Sequence, residues 1–500
     1  MKFISALLTF GLVSGLLQSR SKNTDDFSDL SDFIDNLMSE WKVPGLAVGV
    51  VKDNKIIFKR GFGYRDLENK TPVTENTLFA IGSSTKSFTS FAAAKLVDEE
   101  KIEWDRPVIE YMPEFRLYDE YASLHTTLRD ILCHRTGMPR YDIFMFFPPQ
   151  NRGVLLKNIR YLKSNRGFRE VFQYNSLMYI IAGVLLGELT HSNWENYIEQ
   201  NIFQPLGMKN SNFSVTDMQR SADYAYPYSE VGGKVVQVPF RNIDFAGPAG
   251  SINSSIDDMC EWLQLLLNKG KYNNRQLISE KNFSQLIMPQ MVINENGDYG
   301  TCKVAESDSY GLGWMISHFR GHKLLKHGGN IDGFSSLVSF IPESNIGVVV
   351  ITNKTVNFLP EIVTYSIYDR LLDIAGSDWN AHFCGLIQEL TNMCGASKNE
   401  FNRKRKENTK TTLPLTGYEG QYVHPVLGKI KIVKKNDKLV FSLSGQKFEL
   451  ENYHYDVFHM KTNLFGNYKI KFNLDDNGNI SDLSIPLEPA VDPIIFRRIN

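Results

Sequence analysis

Cysteine is scarce in these 500 residues. The five present, Cys133, Cys260, Cys302, Cys384 and Cys394, include no CxxC pair. A zinc ribbon or thioredoxin-like redox site therefore has no basis, and an odd, sparse set does not make a disulfide scaffold. Charge of one sign is also lacking: 55 Lys and Arg stand against 56 Asp and Glu, for a net charge of -1. Without a concentrated positive field, neither a nucleic-acid partner nor an acidic membrane surface is indicated. Beyond the N-terminus no apolar run nears the ~20 residues of a spanning helix, so no integral membrane span is expected. Acidic runs that would advertise mineral binding are missing too. What is present is a core: 42% hydrophobic and 12% aromatic residues exclude a mainly disordered chain.

Cys133 and Cys260 lie inside apolar helical patterns and read as packing residues. Cys384 and Cys394 could bridge only if the chain between them bends, because one helix through both would hold them roughly 15 Å apart. At the N-terminus, Lys2 precedes an apolar stretch from Phe3 to Leu17, followed by polar Gln18 to Ser21. This pattern predicts a secretory signal over residues 1–19, with an uncleaved anchor as the alternative. The sequons at Asn212, Asn253, Asn282, Asn353 and Asn479 fit an extracellular glycoprotein, although an Asn-rich chain produces them by chance.

The remainder divides into a body over 25–394, a linker over 395–416 and a small domain over 417–500. Phe27, Leu30, Phe33, Ile34, Leu37, Met38 and Trp41 fall on one helix face. Leu46 to Val51 and Lys55 to Arg60 flank Asp53-Asn54 and read as a hairpin. A mostly helical section follows, and strands return at Ser336 to Ile341 and Ile346 to Thr352. The fold class is thus α+β: an antiparallel sheet built from both ends of the body and flanked by helices, with a helical insertion between them. From Gly395 to Thr412 the chain is polar and aperiodic, and the run from Arg403 to Lys406 reads as solvated linker. From Tyr418 onward, period-two patterning predicts an all-β barrel or sandwich. Asn436-Asp437 and Asn477-Gly478 supply its turns, and Asp475 to Asn479 lacks the glycine and bidentate glutamate of a calcium loop.

Three segments carry chemistry together. In Gly82-Ser83-Ser84-Thr85-Lys86, Ser83 and Lys86 stand three apart at a helix start, so both side chains share a face. The helix N-terminus favours negative charge on the serine oxygen, and a lysine with a lowered pKa can remove its proton. The second segment, Gln173-Tyr174-Asn175-Ser176, leads into an apolar helix. The third is Lys326-His327-Gly328-Gly329-Asn330. Taken singly, a helix cap, a core tyrosine and a turn would explain them.

Taken together, they resemble the SxxK, YxN and KTG or HxG elements of the serine β-lactamase and penicillin-binding-protein superfamily, especially its class C β-lactamase and esterase branch (peptidase family S12). Leu128 to Pro139 is similar to the family's LLxHxSGLP stretch, Pro205 to Met208 to PLGM, and Gly247 to Ser251 to PAGG. Residues 417–500 resemble the small β-barrel often appended to such hydrolases. The resemblance implies a β-lactamase/transpeptidase-like fold with Ser83 as nucleophile. Lys86 and Tyr174 would share the proton work, in an order the family leaves open. The backbone N–H groups of Ser83 and Asn330 would form the oxyanion hole, and His327 would be a positive or hydrogen-bonding group on the leaving side. Ser176 stands where the family has Asn, with less reach. Asn175 should point elsewhere.

The expectation is a secreted hydrolase that needs no metal or cofactor and cleaves a small ester, amide or peptide through an acyl-enzyme. The alternative is an extracellular matrix protein on the same scaffold with weak or no activity, since the layout also resembles secreted members found in mollusc shell matrix.

Overall fold

A computed structural model describes residues 27, 29–293, 308–355, 357–389, 405–462 and 466–499. The expected signal sequence, Cys302 and Cys394 lie outside them. The body is built on a nine-stranded sheet, antiparallel throughout. Its centre joins the two ends of the body: the strand Gly45–Lys52 pairs with Ile346–Thr352 on one side and with Lys55–Asp66 on the other. Asp53 and Asn54 both take positive φ in the tight turn between the latter two, as the hairpin signal requires.

The central strands read as nearly unbroken apolar runs because both faces are covered. On one face the helices Leu30–Glu40 and Leu359–Leu371 bring Ile34, Leu37, Ile362 and Val363 against Leu46, Val48, Val50, Val348 and Val350. Phe33 sits at the margin of its helix stripe and is exposed. On the other face, Ala47, Val349 and Ile351 join Ile256, Cys260 and Leu263 of the helix Ile256–Leu267 and the core of the helical insertion. Cys133 and Cys260 are buried, as expected of packing residues, while Cys384 is exposed.

Eight strands between Gly420 and Ile499 form a closed barrel, in which the first pairs with the last through Tyr422 and Arg498. The alternating residues Ile430, Ile432, Leu439, Phe441 and Leu443 point inward and are buried. At the Asn477-Gly478 turn, the Asp475 carboxylate accepts the N–H groups of Asn477 and Asn479, both at 2.9 Å. Residues 405–412, expected as solvated linker, are tied along the barrel: Arg405 donates to the Tyr453 and Asn452 carbonyls, and Thr412 to Asp456. Body and barrel share one continuous apolar cluster. Among the sequons, Asn253, Asn282 and Asn353 are buried, Asn212 is half-buried, and only Asn479 is exposed.

Candidate active site

The helix Thr85–Asp98 is buried on nearly every side, as a helix through the middle of a large core must be. From Ile81 to Ala94, Ser83 is the single residue with partial exposure. Gly82 turns the chain into this helix with φ +52, and a Cβ there would lie 3.0 Å from the Asn330 amide nitrogen. The Ser83 turn and the strand His322–Ile331 are thus in direct backbone contact. Ser84 reinforces the contact by donating to the His327 carbonyl at 3.0 Å.

Lys86 is fully buried. Its Nζ lies 3.1 Å from Ser83 Oγ and donates to the Ala249 carbonyl at 2.7 Å. It also rests over the rings of Tyr174 and Tyr179, 4.8 and 5.5 Å from their centroids. Burial, seconded by the charge of Arg140, lowers its pKa to about 7. A buried ammonium without a carboxylate contact gives up its proton readily, so much of Lys86 is neutral amine at neutral pH. Tyr174 is hydrogen-bonded to Ser83, and burial pushes its phenol well above the ordinary value, so it keeps its proton.

Backbone lacing sets Tyr174 in place. The N–H of Gln173 donates to the His134 carbonyl at 2.8 Å, and the N–H of Asn175 to His134 Nδ1 at 3.0 Å. A ring nitrogen that accepts leaves the proton on Nε2, and burial with nearby Lys86 keeps His134 neutral. The Asn175 side chain points away from the serine, as expected. It caps the helix Ser176–Thr190 through the Met178 N–H and donates to the Pro139 carbonyl. Underneath, the buried Asp130 carboxylate takes Arg135 at 2.5 Å and Arg169 at 2.7 Å. These partners hold it below the usual carboxylate range.

Ser83, Tyr174, Ser176 and Asn330 line one pocket of about 200 Å³, together with Arg140 and Arg241. His327 is placed differently from the other expected residues. Its ring is fully enclosed behind the pocket wall. Nδ1 lies 2.8 Å from the Gly328 carbonyl and Nε2 3.0 Å from the Tyr310 hydroxyl. Because a carbonyl only accepts, Nδ1 carries the proton. Burial, then Lys86, lowers the pKa to about 3, so the imidazole is neutral. Cations at the pocket come instead from Arg140 and Arg241, which the motifs did not single out. Arg140 pairs with Asp142 at 2.6 Å. Arg241 pairs with Asp332 and covers the Phe146 ring at 4.0 Å. Arg140 directly follows the His134 to Pro139 stretch, which was a usable signal. Arg241 carried none.

A family model described as Beta-lactamase matches residues 30–368, well over half of the chain. The chain belongs to the Beta-lactamase family. A second model, a domain of unknown function (DUF3471), matches residues 404–498. Among relatives of this Beta-lactamase family chain, an unguisins hydrolase of Aspergillus campestris is 28% identical over 424 residues, covering 81% of this chain and 77% of its own. The protein flp of Staphylococcus aureus is 26% identical, over 68% of this chain and 66% of its own. The octameric penicillin-binding protein homologue from Pyrococcus abyssi shares the fold at a TM-score of 0.61 and 23% identity, covering 94% of this chain and 100% of that one. The D-amino acid amidase from Ochrobactrum anthropi does so at 0.57 and 20% identity, covering 69% and 97%.

Proposed function

We propose that this Beta-lactamase family member is a serine hydrolase that opens a small ester or amide through an acyl-enzyme on Ser83. The observation that carries the reading is the buried Lys86 amine 3.1 Å from Ser83 Oγ, with Tyr174 hydrogen-bonded to the same serine. Neutral Lys86 takes the serine proton as Oγ bonds to the carbonyl carbon. The oxygen of the tetrahedral adduct turns to the N–H groups of Ser83 and Asn330, and loss of one such donor costs about 2.7–4 kcal/mol. Tyr174 gives its proton to the departing amine or alkoxide as that bond breaks, and the Lys86 ammonium returns a proton to Tyr174. Water repeats the sequence on the acyl-serine and releases the acid. The perturbed Lys86 and the unionised phenol support this division of labour, lysine as base and tyrosine as acid.

A pocket of about 200 Å³ suits a compact acyl group. The converged side chains favour catalysis over an inactive matrix scaffold. A fluorophosphonate probe is expected to label the wild type and not Ser83→Ala; equal labelling of both would refute the reading. Export rests on the pattern of Lys2 and the apolar stretch to Leu17. It is checked by N-terminal sequencing of protein recovered from the medium of a secretory host. Among the described residues no helix is long and apolar enough to cross a membrane.

A further inference from the structure

The pocket wall from Arg140 to Phe147 supplies Arg140, Asp142, Met145 and Phe146 to the site, and it is held from outside the body. Glu488, on the barrel and 6% exposed, accepts the Tyr141 N–H at 2.6 Å. Gln446, at the start of the barrel strand Gln446–His454, donates to the Phe146 carbonyl at 3.0 Å. Barrel Phe448 meets Phe147 edge to face. The wall therefore has a barrel contact at each end.

Tyr141 is the strained point of this wall. It takes a left-handed conformation, φ +49, which is uncommon for a bulky residue and persists where the surroundings over-determine it. Here its amide is held by Glu488, and its phenol donates to the Lys163 carbonyl at 2.7 Å. The Lys163 ammonium in turn pairs with Asp492 of the barrel at 2.9 Å. Glu488 has a further amide of its own turn, Ala490 N–H, on its other oxygen at 3.1 Å. Its direction is thus fixed before it meets Tyr141. The next residue back from Tyr141 is Arg140, whose guanidinium lies 5.1 Å from the Tyr174 ring centroid.

We propose that the C-terminal barrel is a working part of the hydrolytic site, with Glu488 and Gln446 as positioning residues that hold the 140–147 wall, and through Tyr141 the Arg140 side chain, against Ser83 and Tyr174. The proposal rests on Ser83 being the nucleophile. It assigns a role to a region whose family model is described as a domain of unknown function, and it places determinants of substrate fit about 360 and 400 residues beyond Ser83 in sequence.

The wall also faces Lys86. Arg140 opposes its charge and Asp142 favours it. The neutral rings of His134 and His327 lie on its other sides, and Tyr174 and Tyr179 lie beneath the amine. Releasing the wall admits water to Lys86 and withdraws Arg140, and both changes favour the ammonium.

The test uses the full chain with p-nitrophenyl acetate and a fluorophosphonate, read in parallel for wild type, Glu488→Ala, Glu488→Gln and Gln446→Ala. Glu488→Ala is expected to raise KM about tenfold, as loss of a charge-assisted hydrogen bond would, and to move the acid limb of the rate profile to higher pH. Glu488→Gln keeps one acceptor oxygen for the Tyr141 N–H but turns an NH2 to the Ala490 N–H, and it restores both readings part of the way to wild type. Gln446→Ala raises KM with the melting temperature kept, and it carries the test if Glu488→Ala does not fold. Folded Glu488→Ala or Gln446→Ala with wild-type KM and pH profile would overturn the proposal. Labelling that survives Ser83→Ala would instead overturn the nucleophile assignment, so the two failures are told apart.

Discussion

Gly329 runs so close to the carbonyl oxygen of Ile81 that a Cβ built on it would lie 1.8 Å from that atom. The same oxygen accepts from Ser336 at 2.8 Å, so two neighbouring strands are stitched to the turn that presents Ser83. Substituting Gly329 with alanine must push the strand away from that turn, and with it the Asn330 N–H proposed above as an oxyanion donor. The expected outcome is a kcat lowered about hundredfold, the usual scale for one lost oxyanion donor, with KM and the far-UV circular dichroism spectrum little changed. A kcat close to wild type would show that Asn330 contributes no such donor.

The activity should switch on with the deprotonation of Lys86. Only the neutral amine can take the Ser83 proton, and its pKa is lowered to about 7. The logarithm of kcat/KM is therefore expected to climb with unit slope up to about pH 7 and to level above it. Arg140→Ala removes the second cause of the lowering and should shift the limb upward. A limb unmoved by that substitution would mean burial alone sets it.

The same amine makes a stability prediction. In the unfolded chain Lys86 binds its proton up to about pH 10.5, whereas in the folded chain it releases it near 7. Between these values the unfolded state holds more protons, so the lysine penalises folding most at and below pH 7, and the penalty fades as pH rises. Lys86→Met should accordingly be more stable than wild type at pH 7. That advantage should shrink by about 1.4 kcal/mol per pH unit from pH 7 towards 10. Urea unfolding of both proteins at pH 7 and 9 measures it, and parallel curves would contradict the buried, neutral amine.

Glycan placement is constrained by burial. Asn253 and Asn353 are fully enclosed, and their side-chain amides donate to Asn212 Oδ1 and to the Tyr64 carbonyl. A chain carrying a glycan at either could not close its core. Mass spectrometry of folded protein from a secretory host is expected to find glycan at Asn479 and none at Asn253 or Asn353. A glycan on Asn353 in the folded fraction would contradict the packing at the end of its strand.

What the sequence showed depended on how local each signal was. Ser83 and Lys86 were legible because one helical turn brings them together whatever else the chain does. The hairpins at Asp53-Asn54 and Asn477-Gly478 were legible because such turns need residues that tolerate positive φ. His327-Gly328-Gly329, which alone reads as a turn, lies within the strand His322–Ile331. Its extended course is imposed by pairing with Phe334–Ile341 rather than by its own residues. The burial of His327 was hidden for a similar reason, since Tyr310, which closes over it, arrives from elsewhere. Sequons report a local triplet and not depth, so Asn253 looked no different from Asn479. The grip of Glu488 on Tyr141 spans 347 positions, and no short pattern encodes such a distance.

The pairing of Leu46 with Thr352 has a consequence for biosynthesis. The strand Gly45–Lys52 leaves the ribosome about 300 residues ahead of the strand beside which it must lie, roughly half a minute at ~10 residues per second. Throughout that interval its run of valines has only the hairpin partner Lys55–Asp66 to cover one edge. Production of this protein should therefore be sensitive to translation speed and to chaperone supply, and a truncated chain ending before Ile346 should aggregate.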